Sequence, residues 1–276
     1  MDGLEAARRF YGDWVTASAE VTDRRIADAF ASIPREDFLG PGPWFALAQL
    51  DYVRTPTADV QLLYQNLVFS LKPDKHINNG EPTLHARCIG AVAPRPGERV
   101  LQVGAGGGYY TAILATLVGV QGHVEAREVE PDLITAATAN LAPYSQVSVV
   151  GRSGIEPPLP ESDVIYVCAG ATAPMAAWLD ALALGGRLVF PLTPGWDRGG
   201  MLLVTRRPEG FVARFISPAW FIPCTGAQDV VAAEKLRAAI SGGGSDDVRS
   251  LHRAPAHPDE TCWLAGEGWW LSTADI

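Results

Sequence analysis

The chain has 276 residues, of which 47% are hydrophobic, and this apolar content is sufficient for one large core or a core with a smaller addition. Its formal net charge is −9, with 22 Lys and Arg against 31 Asp and Glu. Nucleic acids and anionic membranes are bound by clustered basic side chains, so this balance argues against both as partners. A peptide or a small molecule is the expected partner, and the oligomeric state stays open.

The cysteines and the N-terminus bear on the cellular compartment. Four cysteines lie far apart with no CxxC pair, which favours buried free thiols over a zinc site or a disulfide framework. The N-terminal residues MDGLEAARRFYGDWV contain no apolar signal region, and no apolar run approaches about 18 residues. We therefore expect a cytoplasmic protein without a metal site.

The first part of the chain predicts a helical cap over residues 1–82. Residues 4–38 have helical periodicity, with Phe10, Trp14 and Val15 predicted on one shared face and a second helix ending before Pro34. Residues 39–80 are rich in proline, glycine and aromatic residues, which predicts short strands or irregular structure.

Strand and helix patterns alternate from residue 83 to 216. This alternation predicts the α/β class, with a Rossmann-like, doubly wound and mostly parallel sheet of about seven strands. The segments MLLVTRR and FVARFI, separated by PEG, predict an antiparallel hairpin that closes the sheet. Residues 217–276 are predicted to be an extension that packs on the core, with a helix at 228–240 and either a final hairpin or edge packing in TCWLAGEGWWLS.

The glycine-rich stretch VLQVGAGGGYYTAILATLVG lies between a predicted strand and a predicted helix. A dinucleotide fingerprint needs a small third residue where this chain has Tyr109, which argues against an NAD-dependent oxidoreductase. The spacing of Gly104, Gly106 and Gly108 instead resembles motif I of the S-adenosylmethionine-dependent methyltransferases. Glycine permits the backbone conformation and the close approach of a ligand that such a turn requires.

An acid at the end of the next strand is expected to accept hydrogen bonds from both ribose hydroxyls of the cofactor. In HVEAREVEPDL, Glu128 is the predicted acid in preference to Glu130. The predicted cofactor-binding residues are Gln102, Gly104, Ala105, Gly106, Gly108, Tyr109, Tyr110, Glu128, Ser153 and Gly154.

Several segments in the same order resemble motifs of the protein-L-isoaspartate O-methyltransferase family over residues 24 to about 206. They are AFASIPREDFL, VLQVGAGGGYYTAILA, SDVIYVCAGA, LALGGRLVFPL and MLLVTR. The resemblance implies a Rossmann-like sheet, S-adenosylmethionine as cofactor and methylation of a peptide α-carboxylate. It makes residues 83–216 the expected cofactor domain and places the acceptor-side segment at the end of residues 1–82.

The chain departs from this family on the acceptor side. Counting back from Gly104 places Pro82 on the proline of the family's ISQP signature, so Gly80 replaces its serine and Glu81 its glutamine. Together with Asn79, these two residues form the expected catalytic, acceptor-side group. A partly buried Glu81 carboxylate would repel a carboxylate substrate by on the order of a few kcal/mol, which favours an acceptor of altered specificity.

The adenine side departs as well. The family's acidic GDG segment corresponds to residues 150–152, which contain no acid, and Ser153 is the candidate replacement. The tryptophans Trp263, Trp269 and Trp270 either form an aromatic acceptor wall or pack in the core, and packing is the preferred interpretation.

The catalytic roles remain open at this level. A carboxylate nucleophile needs no base, whereas a hydroxyl or amine acceptor would need Glu81, His76 or His85 in that role. His85 is equally explained as a packing residue, and Glu81 as a ligand of the cofactor's ammonium group or a helix cap. The principal alternative is a non-catalytic module that binds S-adenosylmethionine and recognises a peptide, and a second is a small-molecule O- or N-methyltransferase.

Overall fold

The computed structural model describes residues 3–49 and 51–276. It divides into two compact units. The first unit comprises Met1–Arg99 and Ala105–Arg152, and the second comprises Val100–Gly104 and Ser153–Ile276. Within residues 3–49 and 51–276, no helix combines the length and the apolar character needed to cross a membrane.

The helices and strands are numbered in chain order. The α-helices are α1 (Gly3–Ser18), α2 (Arg24–Ser32), α3 (Pro82–Val92), α4 (Tyr109–Val118), α5 (Pro131–Asn140), α6 (Ala176–Ala181) and α7 (Val230–Gly242). The strands are β1 (Phe45–Ala48), β2 (Asp51–Arg54), β3 (Ser70–Lys72), β4 (Ile77–Asn78), β5 (Arg99–Val103), β6 (His123–Arg127), β7 (Val147–Val150), β8 (Ser162–Val167), β9 (Leu182–Leu192), β10 (Gly199–Arg207), β11 (Gly210–Ala219), β12 (Ser250–Arg253), β13 (Cys262–Gly266) and β14 (Trp269–Ser272). Short 3-10 helices cover Arg35–Phe38, Val60–Leu63, Pro73–Lys75 and Ser245–Asp247.

The two predicted N-terminal helices are present, but their buried face differs from the prediction. Val15 is buried, whereas Phe10 and Trp14 are 63% and 54% exposed and stack on each other with ring centroids 5.9 Å apart. The prediction of one shared face for all three was wrong. An i, i+4 pair shares a face, and Val15 at i+5 is rotated away from it and packs inward beside Tyr11.

A buried arginine organises the core of the first unit. Arg35 has no exposed surface, and its guanidinium donates hydrogen bonds to three backbone carbonyls within residues 63–67. The same group lies 5.1 to 5.9 Å from the ring centroids of Tyr11, Phe69 and Tyr109. The carbonyl acceptors and the aromatic rings together offset the cost of burying the positive charge. Arg35 therefore connects residues 63–67 to the helices that carry Tyr11 and Tyr109.

The second unit contains an eight-stranded sheet in the order β13-β14-β12-β11-β10-β9-β8-β5. β5, β8 and β9 run parallel, and the remaining neighbours pair antiparallel. β8 has a continuous apolar run that is buried, as expected for a strand covered on both faces. In the first unit, β6 and β7 form a parallel pair, while β1 with β2 and β3 with β4 form antiparallel pairs.

The predicted α/β class is confirmed, as are the β10–β11 hairpin and the final β13–β14 hairpin. The number of strands exceeds the predicted seven because β12, β13 and β14 extend the sheet beyond the β10–β11 hairpin. The tryptophans of this region pack: Trp269 and Trp270 are buried, and Trp263 meets the Phe215 ring edge-on at 5.5 Å.

Candidate functional site

The glycine turn adopts a backbone conformation that only glycine adopts easily. Gly104, Gly106 and Gly108 have φ values of +77°, +56° and +95°. A Cβ added at Gly106 would lie 3.0 Å from Leu71 Cδ1, and one at Gly108 would lie 2.9 Å from Leu141 Cδ1. A Cβ at Gly104 would make only ordinary contacts, at 3.7 Å. Position 104 therefore requires glycine because of its φ value. Positions 106 and 108 require glycine both because of φ and because a side chain would lack space.

Tyr109 and Tyr110 open α4 immediately after the turn. Both side chains are buried, and Tyr109 meets the ring of Phe38 edge-on at 5.6 Å. Burial raises the pKa of the Tyr109 hydroxyl well above its ordinary value, so this phenol stays protonated. These two predicted cofactor residues thus support the turn through packing, and their backbone N–H groups belong to the first turn of the helix, where intrahelical acceptors are lacking.

The predicted acid lies on the glycine turn. Glu128 follows β6 and is 7% exposed. Its Oε2 accepts a hydrogen bond from the Gly106 N–H at 2.7 Å, and Oε1 accepts from the N–H groups of Val129 and Glu130 at 2.8 and 3.1 Å. A carboxylate offers about four acceptor positions, so the side chain is oriented while acceptor capacity remains for a hydroxyl. The structure therefore brings Gly106 and Glu128 together, as their register predicted.

Two lysines that the sequence reasoning missed fix the β3–β4 hairpin beside this acid. Lys75 Nζ lies 2.6 Å from Glu130 Oε2, and Lys72 Nζ lies 3.4 Å from the same oxygen and 2.9 Å from Asp132 Oδ2. The hydrogen bond from Lys75, followed by that from Lys72, lowers the pKa of Glu130. Since Leu71 of the same hairpin faces Gly106, these ion pairs hold the hairpin over the glycine turn. Glu130 is therefore a partner of lysines, which agrees with the preference for Glu128.

On the acceptor side, Asn79 is held by the backbone of Phe69. The Asn79 N–H donates to the Phe69 carbonyl at 3.0 Å, and the Phe69 N–H donates to Asn79 Oδ1 at 2.8 Å. The residue is 8% exposed, and within the described part of the chain its Nδ2 is buried without a hydrogen-bond partner. A buried donor left unpaired costs about 1 to 3 kcal/mol, so this amide is a candidate ligand contact.

Glu81 occupies the N-cap position of α3, but its side chain makes no capping hydrogen bond. The carboxylate is exposed and accepts a hydrogen bond from Asn66 Nδ2 at 2.5 Å. Asn66 Oδ1 in turn accepts from the Thr83 N–H at 2.8 Å, so Asn66 supplies the side-chain cap. The repulsion of a carboxylate substrate was predicted for a partly buried Glu81. Because the group is exposed, solvent screens its charge and weakens that repulsion.

Gly80 and His85 lie against each other between Asn79 and α4. Gly80 has a φ of +72°, and the buried His85 ring stacks on Tyr110 with centroids 3.6 Å apart. Burial, assisted by the charge of Arg35, lowers the pKa of His85 from 6.5 to about 3. An imidazole with so low a pKa is a weak base at neutral pH, which supports the packing interpretation. His76, the other histidine considered as a base, is exposed.

The remaining predicted cofactor residues lie in the second unit. Gln102 is buried in β5, with its Nε2 3.7 Å from Cys168 Sγ. A Cβ at Gly154 would lie 2.2 Å from Val103 Cγ1, so the segment of Ser153 and Gly154 packs directly against the end of β5. The structure thus gathers Gln102, Gly104, Ser153 and Gly154 at one end of that strand.

A cavity of about 470 Å³ also lies in the second unit. Its walls come from the loop after β8, residues 226–235 and the β13–β14 turn, and they include Met175, Lys235 and Trp269. Apart from Trp269, which the sequence offered as a possible acceptor wall, the cavity walls contain none of the predicted site residues.

The family profile and the relatives found by sequence agree on one family. The family profile for protein-L-isoaspartate(D-aspartate) O-methyltransferase matches residues 15–229. Protein-L-isoaspartate O-methyltransferase 2 of Anaeromyxobacter sp. is 31% identical over 224 residues, covering 79% of this chain and 83% of its own. The Ignicoccus hospitalis protein-L-isoaspartate O-methyltransferase is 29% identical over 213 residues, covering 75% and 92%. A solved protein-L-isoaspartate O-methyltransferase structure superposes with a TM-score of 0.67 at 21% identity, covering 96% of this chain and 87% of its own, and shows the shared fold.

Proposed function

The chain belongs to the protein-L-isoaspartate(D-aspartate) O-methyltransferase family, and from that premise we propose that it methylates a carboxylate of a peptide acceptor. The family uses S-adenosylmethionine, so the enzyme class and the cofactor follow from membership. The observation that carries the proposal is the hydrogen bond from the Gly106 N–H to Glu128, because it sets a carboxylate acceptor against the glycine turn. A ribose diol donates to such an acceptor.

The residues present fit the cofactor. Glu128 is proposed to accept a hydrogen bond from a ribose hydroxyl at the acceptor position that the backbone N–H groups leave open, while the backbone of residues 104–108 passes beneath the amino-acid part. The other proposed contacts are Gln102, Tyr109, Tyr110, Ser153 and Gly154. When bound, S-adenosylmethionine supplies a methyl group activated by the adjacent sulfonium.

The chain's own contribution to the reaction is positioning. A carboxylate acceptor is already ionised at neutral pH, so no side chain has to remove a proton from it. What the chain must supply is alignment of the acceptor oxygen with the methyl carbon at about 3 to 3.5 Å, and exclusion of water. The low pKa of His85 and the exposure of Glu81 are compatible with this reaction, since neither residue is needed as a base.

Asn79 is the proposed acceptor-binding donor. Its Oδ1 is taken by the Phe69 N–H, which orients the amide and leaves Nδ2 as a buried donor. A carboxylate oxygen is the kind of acceptor that such a donor requires. The acceptor contact would then come from an amide at position 79, because Gly80 offers no side chain. This arrangement is the altered acceptor side that the sequence suggests.

The first test measures cofactor binding and methyl transfer separately. Calorimetry with S-adenosylmethionine should give saturable binding, and labelled cofactor should yield a base-labile methyl ester on an isoaspartyl peptide. The same peptide with a normal aspartyl residue serves as the control acceptor. Binding without transfer to either peptide would contradict the proposal and favour the non-catalytic module, and no binding at millimolar cofactor would remove both.

A second test addresses the donor. Asn79→Asp keeps an oxygen for the Phe69 N–H but replaces the free donor by a charge that repels a carboxylate. We expect kcat/KM for the peptide to fall by about a hundredfold while cofactor affinity changes less than about threefold. Asn78→Asp is the matched control, because Asn78 Oδ1 likewise accepts a backbone hydrogen bond, from the Gly80 N–H at 2.9 Å. Equal losses in both variants would exclude a specific role for Asn79.

A further inference from the structure

Gly80 and His85 are sterically complementary. A Cβ built at Gly80 would lie 2.2 Å from His85 Nε2 and 2.7 Å from Cδ2, far inside contact distance. The φ of +72° at Gly80 is itself unfavourable for a residue with a side chain. The imidazole edge therefore occupies the volume that any side chain at position 80 would need.

A face of the imidazole is stacked on α4. His85 and Tyr110 stack with an interplanar angle of 9°. The Tyr110 hydroxyl also donates to the Gly80 carbonyl at 3.5 Å. His85 belongs to α3 and is 3% exposed, so the ring has little freedom to move.

The ring therefore connects the two halves of the proposed reaction site. Gly80 directly follows Asn79, the proposed acceptor donor, and Tyr110 lies two residues after Gly108 at the end of the glycine turn. The edge of the ring meets position 80 and its face lies on Tyr110, whose hydroxyl also reaches the Gly80 carbonyl directly. Small displacements matter here, since a 1 Å misplacement can reduce a rate by about a hundredfold.

We propose that His85 is a positioning residue for methyl transfer, whose ring sets the separation between Asn79 on the acceptor side and the glycine turn on the cofactor side. This inference rests on the proposed function. A neutral ring suits this role because a buried imidazolium would face the nearby charge of Arg35. One consequence is that a serine introduced at position 80 alone must displace the ring, since its side chain would collide with it.

The test uses three variants: His85→Ala, Gly80→Ser and the double variant Gly80→Ser/His85→Ala. Each is assayed for kcat and KM with an isoaspartyl peptide at saturating cofactor, for cofactor Kd and for thermal unfolding. We expect His85→Ala to lower kcat by about a hundredfold with cofactor Kd within about twofold. Gly80→Ser should lower kcat at least about tenfold. The double variant should recover at least about tenfold over His85→Ala, because the serine side chain refills part of the vacated space.

Two results that involve removal of the ring would overturn the inference while leaving the proposed function intact. One is a His85→Ala enzyme whose kcat stays within about threefold and which differs only in unfolding temperature, since the ring would then be merely structural. The other is an inflection in the wild-type kcat profile between pH 5.5 and 8.5 that disappears with the ring, since His85 would then be a base. If His85→Ala does not fold, Gly80→Ser tests the same contact from the other side, and unchanged kcat in that folded variant counts against the inference.

Failure of the proposed function has a different signature. A wild-type enzyme that binds S-adenosylmethionine but forms no ester on the peptide removes the proposed acceptor, and the positioning role falls with it. Suppose instead that the wild type forms the ester, but the kcat losses of Gly80→Ser and His85→Ala simply add in the double variant. That result removes the positioning role alone.

Discussion

The first unit contains two left-handed glycine turns that differ in what surrounds them. At Gly106 and Gly108 the neighbouring atoms are the aliphatic carbons of Leu71 and Leu141, and the polar contact is from the backbone to Glu128. At Gly80 the neighbouring atoms belong to the His85 ring. The first turn uses glycine for its positive φ and for space beside the two leucines, and it keeps the family pattern. The second uses glycine to make room for another side chain, and it is where the pattern changes.

The largest effect expected on the cofactor-side turn comes from Glu128→Ala. Removing the carboxylate eliminates the proposed hydrogen bond from a ribose hydroxyl, worth about 1.5 to 3 kcal/mol, and unpairs the Gly106 N–H, which adds to the loss. We expect S-adenosylmethionine binding to weaken about a thousandfold, near 4 kcal/mol, by calorimetry. Glu130→Ala is the matched control and should change the affinity less than about fivefold. Similar losses in both variants would mean that the turn recognises net negative charge and not one oriented carboxylate.

The packing of that turn is tested by Gly108→Ala. Alanine would be strained at a φ of +95° and would press on the buried Leu141 side chain. We expect a loss of about 3 kcal/mol in the free energy of unfolding, measured in urea. Gly97→Ala is the control, since φ there is +84° but no atom lies within 4 Å of an added Cβ. It should lose only about 1 to 2 kcal/mol, and equal losses would show that strain in φ alone explains the glycine.

The acceptor-side turn is tested by pH. The pKa of His85 is about 3 in the folded state against 6.5 as its ordinary value, so the unfolded chain takes up a proton that the folded chain refuses. The contribution of His85 to stability is therefore fully present above pH 6.5 and is lost as pH falls towards 3. Between pH 8 and pH 5 the loss is about 2 kcal/mol.

The measurement compares urea unfolding at pH 8 and pH 5 for wild type and His85→Gln, which cannot titrate. We expect the pH-dependent loss to shrink by about 2 kcal/mol in the variant. His123→Gln replaces an exposed histidine and should leave the loss unchanged. An unchanged loss in His85→Gln would mean that the ring is protonated in the folded protein, contrary to its buried stack on Tyr110.

The contrast between the turns also explains which features the sequence could predict. The alternation of strands and helices and the offset of about 24 residues from Gly104 to Glu128 are regular patterns along the chain. The fold class and the contact of Glu128 with the glycine turn were therefore predictable. The contact of His85 with Gly80 depends on a positive φ and on the stack with Tyr110. Neither has a periodic signal in the sequence.

Other missed features share the same cause. Lys75 pairs with Glu130 55 residues away, and Asn66 caps a helix 17 residues further on, so neither partner follows from local spacing. The i, i+4 spacing of Phe10 and Trp14 correctly predicts a shared face but cannot say which face is buried. Burial is decided by what the tertiary structure places opposite the helix, and here that is the neighbourhood of Tyr11 and Val15.

The smallest expected effect concerns the hairpin between the two turns. Lys75→Met removes an ion pair to Glu130 whose lysine is about half exposed, at 48%, so the loss is limited by solvent screening. At low salt we expect the affinity for S-adenosylmethionine to fall by less than about fivefold, with a faster dissociation rate measured by stopped-flow. The difference from wild type should vanish near 1 M salt. Arg237→Met is the control, since it breaks an exposed pair with Asp197 in the second unit and should leave both quantities unchanged. A salt-independent difference would point to packing of the lysine stem over the turn, and not to its charge, as what keeps the hairpin closed.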